Sequence, residues 1–157
     1  MNLCITGGGT GGHLAIAVAL AKVAKARGHK TIFIGSTSGQ DRKYFQDSPL
    51  FDAVFFLETS GVVNKKGFGK LASLWGMAKA FGKARSILLE NRIDAVYSVG
   101  GFSAAPASFA SIVTKTPLFI HEQNAVEGKL NSMLKPYAKS FLSAYDPDAP
   151  IKGYPVQ

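Results

Sequence analysis

Short apolar runs rich in β-branched and aromatic residues alternate along the chain with longer segments whose apolar positions recur every three or four residues. Residues 2–6, 31–35, 53–57, 95–99, 118–121 and 140–143 read as strands. Helical spacing occupies 13–27, 40–46, 70–91, 104–114 and 129–135. Gly28 stops the first helix, Pro117 opens a strand and Pro136 closes a helix. Alternation of β and α segments predicts an α/β fold, Rossmann-like, with a mostly parallel sheet and helices on both faces. Ligands of such sheets collect beyond the carboxyl ends of the strands, so the loops after strands one, four and five are where chemistry is expected.

With 157 residues the chain suits one domain. A hydrophobic share of 46% against 18% charged excludes a disordered segment. The single cysteine, Cys4, excludes an internal disulfide; it lies in an apolar run and reads as a buried structural thiol in a reduced compartment. Eighteen Lys and Arg against ten Asp and Glu leave +8, which favours anionic partners. No basic stretch precedes the first apolar run, so a signal peptide is not expected. Residues 95–114 carry no charge but include Gly100, Gly101, Pro106 and several serines, so they are not read as a transmembrane helix. The chain reaches Gln157 without a closing helix and reads as a piece of something longer.

The loop after strand one runs Gly7-Gly8-Gly9-Thr10-Gly11-Gly12-His13. Glycines let backbone approach a ligand, and the following helix presents free N–H groups to an anion, so the loop reads as a phosphate or diphosphate cradle. A P-loop would need Lys and Ser or Thr after the last glycine, where His13 and Leu14 stand. A dinucleotide site wants an acid at the end of strand two, which ends Phe33-Ile34-Gly35-Ser36. His13 either accepts a proton from an attacking hydroxyl or merely caps and packs. A second glycine turn, Gly100-Gly101-Phe102, opens a helix with Ser103 as N-cap and Pro106 in the first turn. The polar run His121-Glu122-Gln123-Asn124 follows strand five.

Residues 8–13, Gly100-Gly101-Phe102 with Pro106, and 121–124 with Asn131 beyond resemble, in the same order, the amino-terminal half of the MurG family. The resemblance extends to the closing Tyr154-Pro155-Val156. These bacterial transferases add N-acetylglucosamine to undecaprenyl-diphospho-N-acetylmuramoyl-pentapeptide, with inversion, on the cytoplasmic face of the inner membrane. The resemblance implies a GT-B glycosyltransferase whose amino-terminal domain, residues 1–157 here, holds the lipid-linked acceptor, while a second domain grips UDP-N-acetylglucosamine. It implies that Thr10, Gly11, Gly12 and Asn124 reach the donor. It implies further that Gly8, Gly9, Gly100, Gly101, Ser103 and Asn131 face the acceptor diphosphate, and that His13 and Glu122 are the candidates for acid/base work, with His13 favoured as base. Phe102 stands where the family often has Tyr, so no hydroxyl is essential there. No metal or other cofactor is expected; Asp146-Pro147-Asp148 fits a metal-binding D-x-D only superficially and reads as a solvated turn.

Between Thr59 and Leu89 stand Lys65, Lys66, Lys70, Lys79, Lys83 and Arg85 without an acid, while Leu71, Leu74, Trp75, Ala78 and Phe81 recur at helical spacing. This stripe is either core or an interfacial helix on an anionic membrane. The membrane reading is favoured for Leu71, Leu74, Trp75 and Phe81 with Lys65, Lys66 and Lys70. Rival functions are an NAD-dependent oxidoreductase domain and a non-catalytic, membrane-recruiting half of a split glycosyltransferase. Nucleic acid is not an expected partner, because neither a reading helix nor a basic-aromatic single-strand motif is evident.

Overall fold

Six strands pair side by side, all parallel, in the order β3-β2-β1-β4-β5-β6. They are β1 (Asn2–Thr6), β2 (Lys30–Ser36), β3 (Ala53–Leu57), β4 (Ala95–Ser98), β5 (Leu118–Glu122) and β6 (Ser140–Ser143). The structure, a computed structural model, describes residues 1–59 and 68–145, the side chains of 68–74 aside. The helices are α1 (Gly11–Ala26), α2 (Asp41–Phe45), α3 (Phe68–Glu90), α4 (Ala105–Val113) and α5 (Lys129–Leu134). Strand order reverses between β1 and β4, the switch point at which such sheets bind ligands. The seam there joins distant parts of the chain: the Asn2 N–H donates to the Asp94 carboxylate at 2.7 Å across 92 positions.

Side chains alternate across the sheet, which has a core on each face. On one face Cys4, Ile32, Ile34, Val96, Leu118 and Ile120 cluster with Ala80, Ala84 and Leu88 of α3 and Ala107 and Ala110 of α4. On the other, Ile5 and Phe33 cluster with Leu14, Ala17 and Ala21 of α1 and with Phe45 and Phe51. Phe33, Phe45 and Phe51 pack ring against ring, with centroids 4.6 to 5.3 Å apart. Cys4 is completely buried, and burial pushes its thiol pKa up, as suits a structural residue.

Three departures from the sequence expectations bear on function. Helix α1 starts at Gly11, two residues before the apolar periodicity, because glycines carry no side-chain signal. Ser103 does not cap α4: it sits in a 3₁₀ turn, Phe102–Ala104, and Ala104 occupies the cap position without a side-chain hydrogen bond. Pro106 does lie in the first turn of α4, as expected.

The third departure concerns the rotation of α3. Ala80, Ala84 and Leu88 face the core, and Phe81, expected on the membrane side, is half-buried against that same cluster. Trp75 instead points outward, 66% exposed, with the Lys79 ammonium 5.6 Å from its ring centre. Lys65 and Lys66, the side chains of Lys70, Leu71 and Leu74, the Asp146-Pro147-Asp148 turn and Tyr154-Pro155-Val156 lie outside the described residues. No helix among the described residues is long and apolar enough to cross a membrane.

Candidate active site

The two glycine loops at the switch point interlock. The Gly8 N–H donates to the Gly100 carbonyl at 3.2 Å. Gly101 adopts φ 79°, ψ 158°, a region open essentially to glycine alone, and a Cβ there would collide with the Gly8 carbonyl. A Cβ on Gly7 (φ 115°) would collide in turn with the Gly100 carbonyl. The close approach of the loops accounts for these glycines before any ligand is considered.

An acid that the sequence reading passed over holds the first loop from below. Asp41 opens α2, is fully buried, and accepts the Gly9 N–H at 2.7 Å and the Ser36 N–H at 2.9 Å. The carboxylate also fills the space that a Cβ on Gly8 would need. Its signal in the sequence was an acid just past a run of small polar residues after β2, five positions beyond the strand end searched for a ribose ligand. Asp41 is engaged with backbone, so it offers nothing to a ribose, which weighs against a nicotinamide site.

With the Gly8 and Gly9 N–H groups engaged inside the protein, the loop's free donors are those of the α1 amino terminus. The first N–H to return to the preceding turn is that of Leu14, bonded to the Thr10 carbonyl at 3.2 Å. The N–H groups of Gly11, Gly12 and His13 precede it, at the positive end of a 16-residue helix. Gly11 and Gly12 are exposed, and nothing lies within 4 Å of the position a Cβ would take on either.

His13 stands beside these donors, half-buried. Its Nδ1 lies 2.6 Å from the Thr10 hydroxyl. Its Nε2 approaches Gly100, where a Cβ would come within 3.2 Å of it. Burial lowers the imidazole pKa below its ordinary value, against the opposing attraction of the Glu122 and Asp41 carboxylates. The ring is therefore neutral at pH 7 and able to take a proton.

Glu122 is held differently. Its Oε1 accepts the Asn124 N–H and side-chain amide, both at 2.9 Å. Its Oε2 accepts the Gly128 N–H and the Asn131 amide, both at 2.8 Å. Burial works to raise its pKa, but these four hydrogen bonds outweigh it and hold the carboxyl below its ordinary value. A carboxylate so fully engaged is a poor proton acceptor and a good clamp, closing the loop from β5 to α5.

These groups surround a cleft of about 460 Å³. His13, Gly101, Glu122, Asn124, Gly128 and Asn131 form its polar side, while Met77, Phe102, Leu130 and Met133 give an apolar wall. Among the other expected site residues, Thr10 is exposed, and the Ser103 hydroxyl is buried with no partner among the described residues. His121 and Gln123 do not line the cleft.

The parallel sheet and the loops at its switch point have the fold of the amino-terminal half of a GT-B glycosyltransferase. The chain belongs to glycosyltransferase family 28, whose N-terminal domain matches residues 3–143. It is 64% identical, over all its 157 residues and 46% of the relative, to the UDP-N-acetylglucosamine–N-acetylmuramyl-(pentapeptide) pyrophosphoryl-undecaprenol N-acetylglucosamine transferase of Sulfurimonas denitrificans. The protein of that name from Campylobacter fetus is 54% identical over 154 residues, 98% of this chain and 45% of the relative. The crystal structure of Acinetobacter baumannii MurG superposes with a TM-score of 0.82 at 28% identity, over 97% of this chain and 44% of that one. A UDP-N-acetylglucosamine 2-epimerase from Rickettsia bellii shares the fold alone, with a TM-score of 0.60 at 12% identity over 92% of this chain and 38% of that one. The chain spans about half the length of the curated relatives it matches.

Proposed function

We propose that this chain is the acceptor-binding half of an inverting transferase that moves N-acetylglucosamine from UDP-N-acetylglucosamine to the C4 hydroxyl of undecaprenyl-diphospho-N-acetylmuramoyl-pentapeptide. The observation that carries the reading is the position of His13, half-buried at the α1 amino terminus and lining a cleft large enough for a sugar. The names of the relatives supply the substrates. In the reaction the acceptor O4 attacks the anomeric carbon, the bond from that carbon to the diphosphate oxygen breaks, UDP departs with the electron pair, and the hydroxyl proton passes to His13. The N–H groups of Gly11, Gly12 and His13 and the α1 dipole offer a site for diphosphate charge. Glu122 takes no proton in this scheme; it keeps Asn124 and Asn131 in place.

The apolar wall of Met77, Phe102, Leu130 and Met133 suits the non-polar surface of a lipid-linked acceptor. The outward Trp75 with Lys79 suits a protein that rests on the cytoplasmic face of an anionic inner membrane as a peripheral partner. A chimera of residues 1–157 with the remaining half of the Sulfurimonas denitrificans relative tests the reading by transfer of labelled sugar. Transfer by the chimera to the diphospholipid acceptor, and none by the 157-residue chain alone, is the expected result. A folded chimera that ignores this acceptor would overturn it.

A further inference from the structure

Thr10 occupies the N-cap of α1 with the extended backbone of a capping residue (φ −131°, ψ 156°), yet its side chain makes no capping hydrogen bond. A threonine there ordinarily turns its hydroxyl onto the N–H two or three residues on. Here the hydroxyl lies against the Nδ1 of His13 instead, at 2.6 Å. The diversion leaves the Gly12 and His13 N–H groups uncapped and ties the imidazole to the residue three positions before it.

That contact admits two arrangements. Either the Thr10 hydroxyl donates to a bare Nδ1, and Nε2 carries the proton, or Nδ1–H donates to the Thr10 oxygen, and Nε2 keeps a lone pair. The surroundings of Nε2 favour the second. On that side a Cβ on Gly100 would come within 3.2 Å of Nε2 and 3.1 Å of the Asn131 Nδ2, so both atoms border the same space, with no direct hydrogen bond between them. The orientation of this amide is set by its bond to the Glu122 carboxylate, so the atom facing that space is a donor. A lone pair on Nε2 complements such a donor, whereas a second N–H would oppose it.

We infer that Thr10 is a positioning residue that holds His13 as the Nδ1–H tautomer, so that Nε2 is the atom that accepts the proton. The inference deepens the proposed function and rests on its assignment of His13. After transfer the imidazolium keeps its Nδ1–H on the Thr10 oxygen while Nε2 carries the proton from the acceptor hydroxyl. The Thr10 hydroxyl hydrogen, released from both capping and the ring, is free to donate to an anion at the helix terminus. One small side chain thereby fixes the base and keeps the helix end open.

Nitrogen-15 NMR of imidazole-labelled chain, with His29 as an internal comparison, reads the tautomer without any substrate. The wild type and Thr10→Ser are expected to show a pyrrole-type Nδ1 and a pyridine-type Nε2 at His13. Thr10→Val, equal in shape but unable to accept the bond, is expected to shift His13 toward Nε2–H, the form that predominates in free histidine. An Nε2–H signal in the wild type, or a valine variant with an unchanged tautomer, overturns the inference. In the chimera Thr10→Val should lower kcat by roughly 10-fold or more with Thr10→Ser restoring it. A valine variant that changes tautomer without changing kcat would leave the tautomer assignment standing and reject His13 as base, so the two failures are distinguishable.

Discussion

The Asp41 carboxylate and the Gly9 N–H, 32 positions apart, meet at 2.7 Å beneath the first glycine loop. The other Asp41 oxygen accepts the Ser36 N–H at 2.9 Å, so one buried side chain pins the loop to the end of β2. Asp41→Asn keeps the shape but turns an NH₂ onto one of these donors. A loss of about 1–3 kcal/mol is expected, read as a fall in Tm of roughly 2–4 °C per kcal/mol for a chain of this size. An unchanged Tm would show that the loop holds itself.

Glu122 gives a second stability test, with a pH signature. Its folded pKa lies below the unfolded value of 4.5, so the unfolded chain binds more protons in that window. The stabilisation is therefore complete above about pH 4.5 and lost as pH falls through the folded value. Glu122→Gln, which places an amide donor among four donors, should be less stable at neutral pH by about 2 kcal/mol or more. Melting curves from about pH 7 to about pH 3 should converge for the two proteins as the wild type loses its advantage. Parallel curves would assign the acid sensitivity to other carboxylates.

His13 predicts the shape of a rate profile. A base must be neutral, and the folded pKa of His13 lies below its ordinary 6.5. Activity of the chimera should hold as pH falls past 6.5 and drop only through a lower value, and His13→Ala should cost about 100-fold in kcat. A His13→Ala chimera with near-normal turnover and the same acid limb would reject the assignment.

Trp75, 66% exposed, should matter to lipid and little to folding. Trp75→Ala is expected to change stability by no more than about 0.5 kcal/mol and to weaken binding to anionic vesicles at every salt concentration. Lys79→Glu with Lys83→Glu should weaken it chiefly at low salt, since exposed charges are screened beyond about 10 Å at 0.1 M. A variant that loses stability while its folded fraction binds vesicles normally would return Trp75 to a packing role.

The alternation of elements was legible because each carries its period in its own side chains, and the loops beyond β1, β4 and β5 followed from topology. What escaped the reading depended on partners distant in sequence. Asp41 looks like any polar loop residue until β2 and the glycine loop close over it. The four hydrogen bonds of Glu122 were hidden too, because Asn124, Gly128 and Asn131 converge on it only in the folded chain. The rotation of α3 was misjudged at Phe81 because the bulky apolar side chains at helical spacing look like one membrane-facing stripe, whereas Phe81 packs against the core. The helix instead turns its small Ala80 and Ala84 toward Ala107 and Ala110, which permits close approach to α4, and leaves the bulky Trp75 outside.

The seam between β1 and β4 has a consequence for assembly. Pairing of β1 with β2 and of β2 with β3 needs only local crossovers, whereas the seam brings together residues such as Asn2 and Asp94, 92 positions apart. Closing so long a loop costs more chain entropy than either local crossover. The carbonyl of Gly100 reaches the N–H of Gly8 only across that closed seam. A ligand that needs both turns therefore has no affinity for a half-built sheet, and its binding energy adds to the stability of the entire molecule rather than of one lobe. Occupancy of the cleft becomes a certificate of completed folding.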